Sequence, residues 1–267
     1  MKFFMKKRPP LTEHQKKFSY SKYYYLPMAP IPEYKLAILA AGPIDPGKAL
    51  KIENRTELQE PGYQECESGY CVMEDGSGYV ANYTLMPQAT IEMAEWWFVW
   101  HSLEDVRYKI WDPEDHIYAR NLHREKALDR TLPMRERIYG CSHDILEDIG
   151  GGPVKIMLDF KRPREFGFDE TKIGSEAGST IVCGVGRHGD FATIMTHLFR
   201  EVAGGIELRS RFWVAYNIVD GKPVKLVPDG VRIPVDEVKG MFAHNIKEFS
   251  NLSVLLPKVY AEEKDNW

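Results

Sequence analysis

Two periodicities divide the chain. Residues 91–111, IEMAEWWFVWHSLEDVRYKIW, space Ile91, Ala94, Trp97, Phe98 and Val106 as one helical face does, until WDPED breaks the run. Beyond residue 150 the text alternates apolar with polar: PVKIMLDF, STIVCGVGR, ATIMTHLFREV, GIELRSRFWVAYNIV and KPVKLV, separated by turn formers such as Asp220-Gly221. Alternation of this kind predicts an antiparallel sheet with one buried and one solvated face. A helical pattern returns at residues 235–260 and closes the chain. Upstream, residues 35–85 hold short apolar pieces (KLAILAAG, GYCVM, GYVANYTLM) between Gly, Pro and Asp-Gly signals, which predict short strands and hairpins. The first 30 or so residues are rich in Lys, Tyr and Pro and read as an arm that packs through its aromatics. The order is α+β, with an arm and small β-rich subdomain over 1–85 and the main domain over 86–267. A curved sheet around a long final helix leaves room between them for a small ligand.

Charge and composition narrow the function. The formal charge of −4 over 267 residues, with acids and bases intermixed, gives no footprint for nucleic acid or an anionic membrane. The opening MKFFMKKRPPL has too short an apolar run for a signal-peptide core, and no stretch nears the roughly 20 apolar residues of a membrane span, so a cytoplasmic protein is expected. Cys66, Cys71, Cys141 and Cys183 lack CxxC spacing and are expected as reduced thiols.

The sharpest chemical signal is HNIKE. His244 and Glu248 lie four residues apart in a helical segment, so both side chains point the same way and can close on one ion. Zinc and related cations take imidazole nitrogen and carboxylate oxygen. Upstream candidates are His116, after the acidic turn beside Trp111, and an acid in HDILED, where periodicity does not choose Glu147 over Asp144 or Asp148. Of the aromatic run WWFVW, mostly core by its spacing, Trp100 is the residue expected to touch ligand. Arg209 and Arg211 alternate on one strand face as an anion site or as ion-paired residues.

The run EMAEWWFVWH, then RYKIWDPEDH, Glu147, RSRFW and HNIKE, in that order over about residues 86–260, resembles the 2,4-diacetylphloroglucinol hydrolase and phloretin hydrolase family. The resemblance implies a Bet v 1-like helix-grip domain, a homo-oligomer, and Zn²⁺ held by His116, Glu147, His244 and Glu248. It implies a small aromatic ketone as substrate, whose acyl group is cleaved from a phloroglucinol ring, with Glu147 also shuttling a proton. Tyr108 matches a tyrosine that binds a substrate hydroxyl, and His188 a pocket histidine acting as donor or proton relay. Where the family has a substrate-binding Asn, this chain has Ala119; Asn121 is the nearest substitute, and Tyr216 stands in for a second tyrosine. Phloretin is the first expected substrate, mono- or diacetylphloroglucinol the second. A helix-grip carrier of aromatic or lipid ligands, and a non-haem iron enzyme that activates oxygen, are the competing readings.

Overall fold

The computed structural model describes residues 6–267; the first five residues of the arm lie outside them. The arm packs as expected, through single 3₁₀ turns that bury Tyr20, Tyr23 and Tyr24. Helix α1 (Glu33–Ala41) follows, then strands β1 (Gly69–Val72) and β2 (Gly78–Pro87). Next come α2 (Ile91–Trp100), α3 (Asp105–Lys109), β3 (His116–Asn121) and α4 (Arg124–Leu128). The remaining strands are β4 (Ser142–Glu147), β5 (Val154–Lys161), β6 (Thr180–His188), β7 (Phe191–Val202), β8 (Gly205–Val214), β9 (Tyr216–Val219) and β10 (Lys222–Lys225). Helix α5 (Val235–Glu263) ends the fold.

Eight strands make one antiparallel sheet in the order β1-β2-β8-β7-β6-β5-β4-β3. The expected α+β class holds: a large antiparallel sheet with a long C-terminal helix. The expected boundary at residue 85 falls inside β2, which pairs with β8 from Gly78↔Val214 to Pro87↔Gly205, so residues 69–87 belong to the main sheet. KLAILAAG, expected as a strand, is helix α1. Lys35 and Leu39 lie one turn apart on its buried face, and Gly42 ends it with φ 92°. The single strand expected over GIELRSRFWVAYNIV breaks at Ala215, φ 64°, and its second part pairs with β10 across the Asp220-Gly221 turn, where both φ angles are positive.

Alternation along β6, β7 and β8 sorts side chains between two cores. Val182, Met195, Phe199 and Leu208 face α2 and α5, with Phe98 and Phe249 among their neighbours. Ile181, Cys183, Val185, Ile194 and Trp213 face the other way, under Ile52 and Leu58 of a 3₁₀ segment and Phe166 and Phe168. Helix α5, 29 residues and so about 43 Å long, buries Val238, Phe242, Ile246, Phe249, Leu252, Leu256 and Val259 at three- and four-residue steps. All four cysteines are buried free thiols. No helix among the described residues is long and apolar enough to cross a membrane.

Candidate metal centre

Two of the expected ligands meet across a hairpin. His116 opens β3 and pairs directly with Glu147 at the end of β4, and a bulge between His116 and Tyr118 re-aims the start of the strand. His116 Nδ1 lies 3.1 Å from the Tyr108 carbonyl. A carbonyl only accepts, so Nδ1 carries the proton and Nε2 keeps its lone pair. That Nε2 is buried without a hydrogen-bond partner, 3.7 Å from Glu147 Oε2 and 3.7 Å from Glu248 Oε2. Burial, reinforced by the neighbouring His244, holds the His116 pKa well below the ordinary histidine value.

Helix α5 brings the other two. His244 Nε2 lies 3.9 Å from Glu248 Oε2, and the ligand atoms of His116, His244 and Glu248 all fall within 4.8 Å of one another. Glu147 joins through His116 and stands outside that tight trio. Glu248 is held in place by Asn245, whose Nδ2 donates to Oε1 at 2.9 Å, while Asn82 on β2 donates to Asn245 Oδ1 at 2.7 Å. Burial pushes the Glu248 pKa up to about 8. Burial opposes charge on His244 too, but Glu248, Asp115 and Glu147 outweigh it and lift its pKa to about 10. Two buried imidazoles and two carboxylates around an unpartnered nitrogen form a donor set suited to zinc or a similar divalent cation.

A charged layer backs the cluster. His244 Nδ1 is 3.2 Å from Asp115 Oδ2, the carboxylate–histidine pairing that orients metal ligands. Lys247 Nζ reaches Asp115 at 2.5 Å, Asp112 at 3.2 Å and Glu114 at 3.5 Å, and Lys6 bridges Asp115 at 2.7 Å and Asp148 at 2.9 Å. Asp112, Asp115 and His244 also converge, but the Lys247 ammonium already pairs with both acids. Sequence reasoning read WDPED only as a helix breaker. Its acids, together with the Lys inside HNIKE, were the signal for this layer.

The remaining expected residues divide. Tyr108 lies in the cluster: its hydroxyl donates to Glu147 Oε2, and burial beside that carboxylate drives its pKa well above the ordinary phenol value. Trp100 does not reach it; its indole donates to the Asn266 carbonyl at 3.0 Å and its ring packs on Arg107 and Tyr20. Asn121 is spent on a turn, its Oδ1 accepting from the His123 amide at 2.7 Å at the far end of β3. Tyr216 donates to Asp75 Oδ2 at 2.5 Å on the small two-stranded ribbon. His188 sits exposed at the tip of β6, with Nδ1 2.9 Å from the Lys155 carbonyl. Arg209 and Arg211 are fully buried and share Glu67, the ion-paired alternative rather than an anion site. Unforeseen was His197 on β7, buried against Phe249 and Phe212, with Nδ1 2.9 Å from Ser210 Oγ.

Known proteins match most of the chain. The model of the DAPG hydrolase PhiG domain matches residues 50–261. Over 260 residues the chain is 45% identical to phloretin hydrolase of Eubacterium ramulus, covering 96% of this chain and 94% of that protein. It is 29% identical to a 2,4-diacetylphloroglucinol hydrolase of a Pseudomonas species, covering 91% and 87%, and 28% identical to that of Pseudomonas protegens, covering 91% and 84%. With the family model matching residues 50–261 and a 45% identical relative covering nearly the whole chain, the chain belongs to the DAPG hydrolase family.

Proposed function

We propose that this protein is a divalent-metal hydrolase that cleaves the carbon–carbon bond between an acyl group and a phloroglucinol ring, with zinc as the ion. Phloretin, giving phloroglucinol and 3-(4-hydroxyphenyl)propionate, is the leading substrate, ahead of mono- or diacetylphloroglucinol, because the 45% relative is named for phloretin. The carrying observation is the buried, unpartnered Nε2 of His116, set between two carboxylates with His244 alongside. His116, His244 and Glu248 would hold the ion, with Glu147 as the fourth ligand. The sheet and long helix support a Bet v 1-like helix-grip assignment, and the family reading carries with it a homo-oligomer and a smaller N-terminal region ahead of that domain.

When bound, such an ion polarises a ketone and lowers the pKa of a coordinated water to about 7. The protein must do the rest. Water supplies OH to the acyl carbon, the acyl–ring bond breaks with its electron pair going to the ring carbon, and that carbon takes up the proton from water. Glu147 is placed to carry this proton. Tyr108, kept protonated by its surroundings, donates to Glu147 and fixes where the carboxylate points. His197, which burial holds neutral by lowering its pKa to about 3, is the candidate for a hydrogen bond to a ring hydroxyl as charge builds there.

The test is to incubate the protein with phloretin and with the acetylphloroglucinols, with and without chelator, and to weigh the products. About one zinc per chain, lost with activity in a His244→Ala/Glu248→Ala variant, supports the reading. Metal-free protein that binds phloretin uncleaved would instead support a carrier, and cleavage under strict exclusion of oxygen removes the iron-oxygenase alternative.

A further inference from the structure

Strand β6 carries two glycines, Gly184 and Gly186, on the face turned toward α5. Neither has the positive φ that would call for glycine. Glycine weakens a strand interior, and where the backbone does not require it, it marks a place where something must come close. A Cβ at Gly184 would lie 2.9 Å from Leu158 Cδ1 and 2.9 Å from Met195 Cε, the mobile ends of two side chains. At Gly186 it would lie 3.5 Å from Ile156 Cγ2, an ordinary contact.

These residues follow one sheet face leading away from the candidate metal centre. Glu147 pairs with Val154, and Ile156 and Leu158 follow on the same strand face at two-residue steps of about 6.6 Å. Phe212, directly across from Met195, closes the far side beside His197. Ile156, Leu158, Gly186 and Phe212 remain partly accessible, whereas Ile145, Phe160 and Met195 on the same face are buried. The side chains named along this face are apolar, and methionine and leucine ends adapt to an inserted group, for which they would open a trough. A trihydroxylated ring needs the polar end of this space, near Tyr108 and His197; an apolar chain needs the other.

We propose that Gly184 and Gly186, with Ile156, Leu158, Met195 and Phe212, form the subsite for the acyl chain, sized for an arylalkanoyl group rather than acetyl. The inference rests on the acylphloroglucinol reading above. Filling the trough selects against length: Gly186→Leu lowers kcat/KM for phloretin about 10- to 100-fold, the scale on which apolar pockets discriminate, and changes that for monoacetylphloroglucinol by less than about threefold. Gly186→Ala, which the neighbours accommodate, shows the same preference in weaker form, so a misfolded leucine variant does not decide the matter. Calorimetry with 3-(4-hydroxyphenyl)propionate gives a readout free of turnover, with binding by the wild type and loss in Gly186→Leu. Equal losses on both substrates at unchanged melting temperature, or no loss on either, overturn the subsite. Wild-type protein inert toward every acylphloroglucinol, while still binding the aryl acid at Gly186, overturns the parent reading instead.

Discussion

The Tyr108 ring lies flat on the His116 imidazole, centroids 3.8 Å apart and planes 1° from parallel, while its hydroxyl donates to Glu147. One side chain thus steadies the His116 ring by its face and the Glu147 carboxylate by its edge. The two roles separate by substitution. Tyr108→Phe keeps the stack and loses the donor, so kcat should fall on the order of 100-fold, the scale of a lost active-site hydrogen bond, with zinc content unchanged. Tyr108→Ala should lose metal as well. A phenylalanine variant whose zinc content falls in step with its activity would show that the hydroxyl holds the metal site together and has no separate part in turnover.

Asp115 should act through His244. In Asp115→Asn the imidazole keeps a weaker partner, and zinc affinity should drop about 10- to 100-fold, as for other orienting groups around metal ligands. Competition with a chromophoric chelator measures this directly. Lys247→Met is expected to do more, since it leaves Asp112 buried without its cation, while Asp115 keeps Lys6; losing one member of a buried pair costs about 3 to 5 kcal/mol. Denaturant unfolding of the zinc-free protein would reveal that cost, and an unchanged midpoint would argue against it.

Stability of the metal-free protein should depend on pH in two limbs. Burial lowers the pKa of His101 to about 4 and of His197 to about 3, and holds His116 and His143 well down. The unfolded chain therefore binds more protons below about pH 6.5, and stability falls as the solution is acidified. His101 alone contributes on the order of 3 kcal/mol. At the cluster the sign is opposite, for Glu248 from about pH 4.5 and for His244 from about 6.5, because folded Glu248 keeps its proton to about 8 and His244 to about 10. Both terms lower stability between pH 6.5 and 8. Buried Lys35, with its pKa lowered to about 7, opposes them in the upper part of that window. Zinc replaces those protons, so the gap in melting temperature between loaded and free protein should widen from pH 6.5 to 8. A gap that narrows would contradict the assignment of His244 and Glu248 as ligands.

Glu67 faces two fully buried guanidiniums, with oxygens 2.7 Å from Arg209 Nη2 and 2.7 Å from Arg211 Nη2. Glu67→Gln should destabilise the fold by about 3 to 5 kcal/mol, read by denaturant unfolding. Metal content at low temperature should stay intact, because the pair lies on the sheet face away from α5.

How far the sequence reached can be seen in two histidines. Alternation puts His188 and His197 on the same face of the sheet, paired through Phe191 and Val182 respectively. What it does not give is depth along the strand: His188 ends β6 in solvent, whereas His197 is enclosed by the helix. The family match chose the exposed one. Asn121 lies apart for a related reason, because a local turn claimed its side chain. His244 and Glu248 were legible because one turn of helix fixes their relation. The His116–Glu147 pairing depends on a bulge and on the register of two strands joined by the long connection 122–141, which holds α4, and only the family resemblance chose Glu147 over its acidic neighbours. The layer of Asp112, Asp115 and Lys247 was hidden because acids in a Pro turn look solvated until a helix covers them.

The bulge in β3 has a second consequence, for behaviour in a crowded solution. A sheet of eight strands offers two open borders where a stray chain could add itself. Here one border is β1, only four residues long, and the other is β3, whose irregular start interrupts the row of free amides and carbonyls. The kink that aims an imidazole into the interior also denies a template to neighbouring molecules, so straightening that border by deleting Ile117 should cost solubility along with metal.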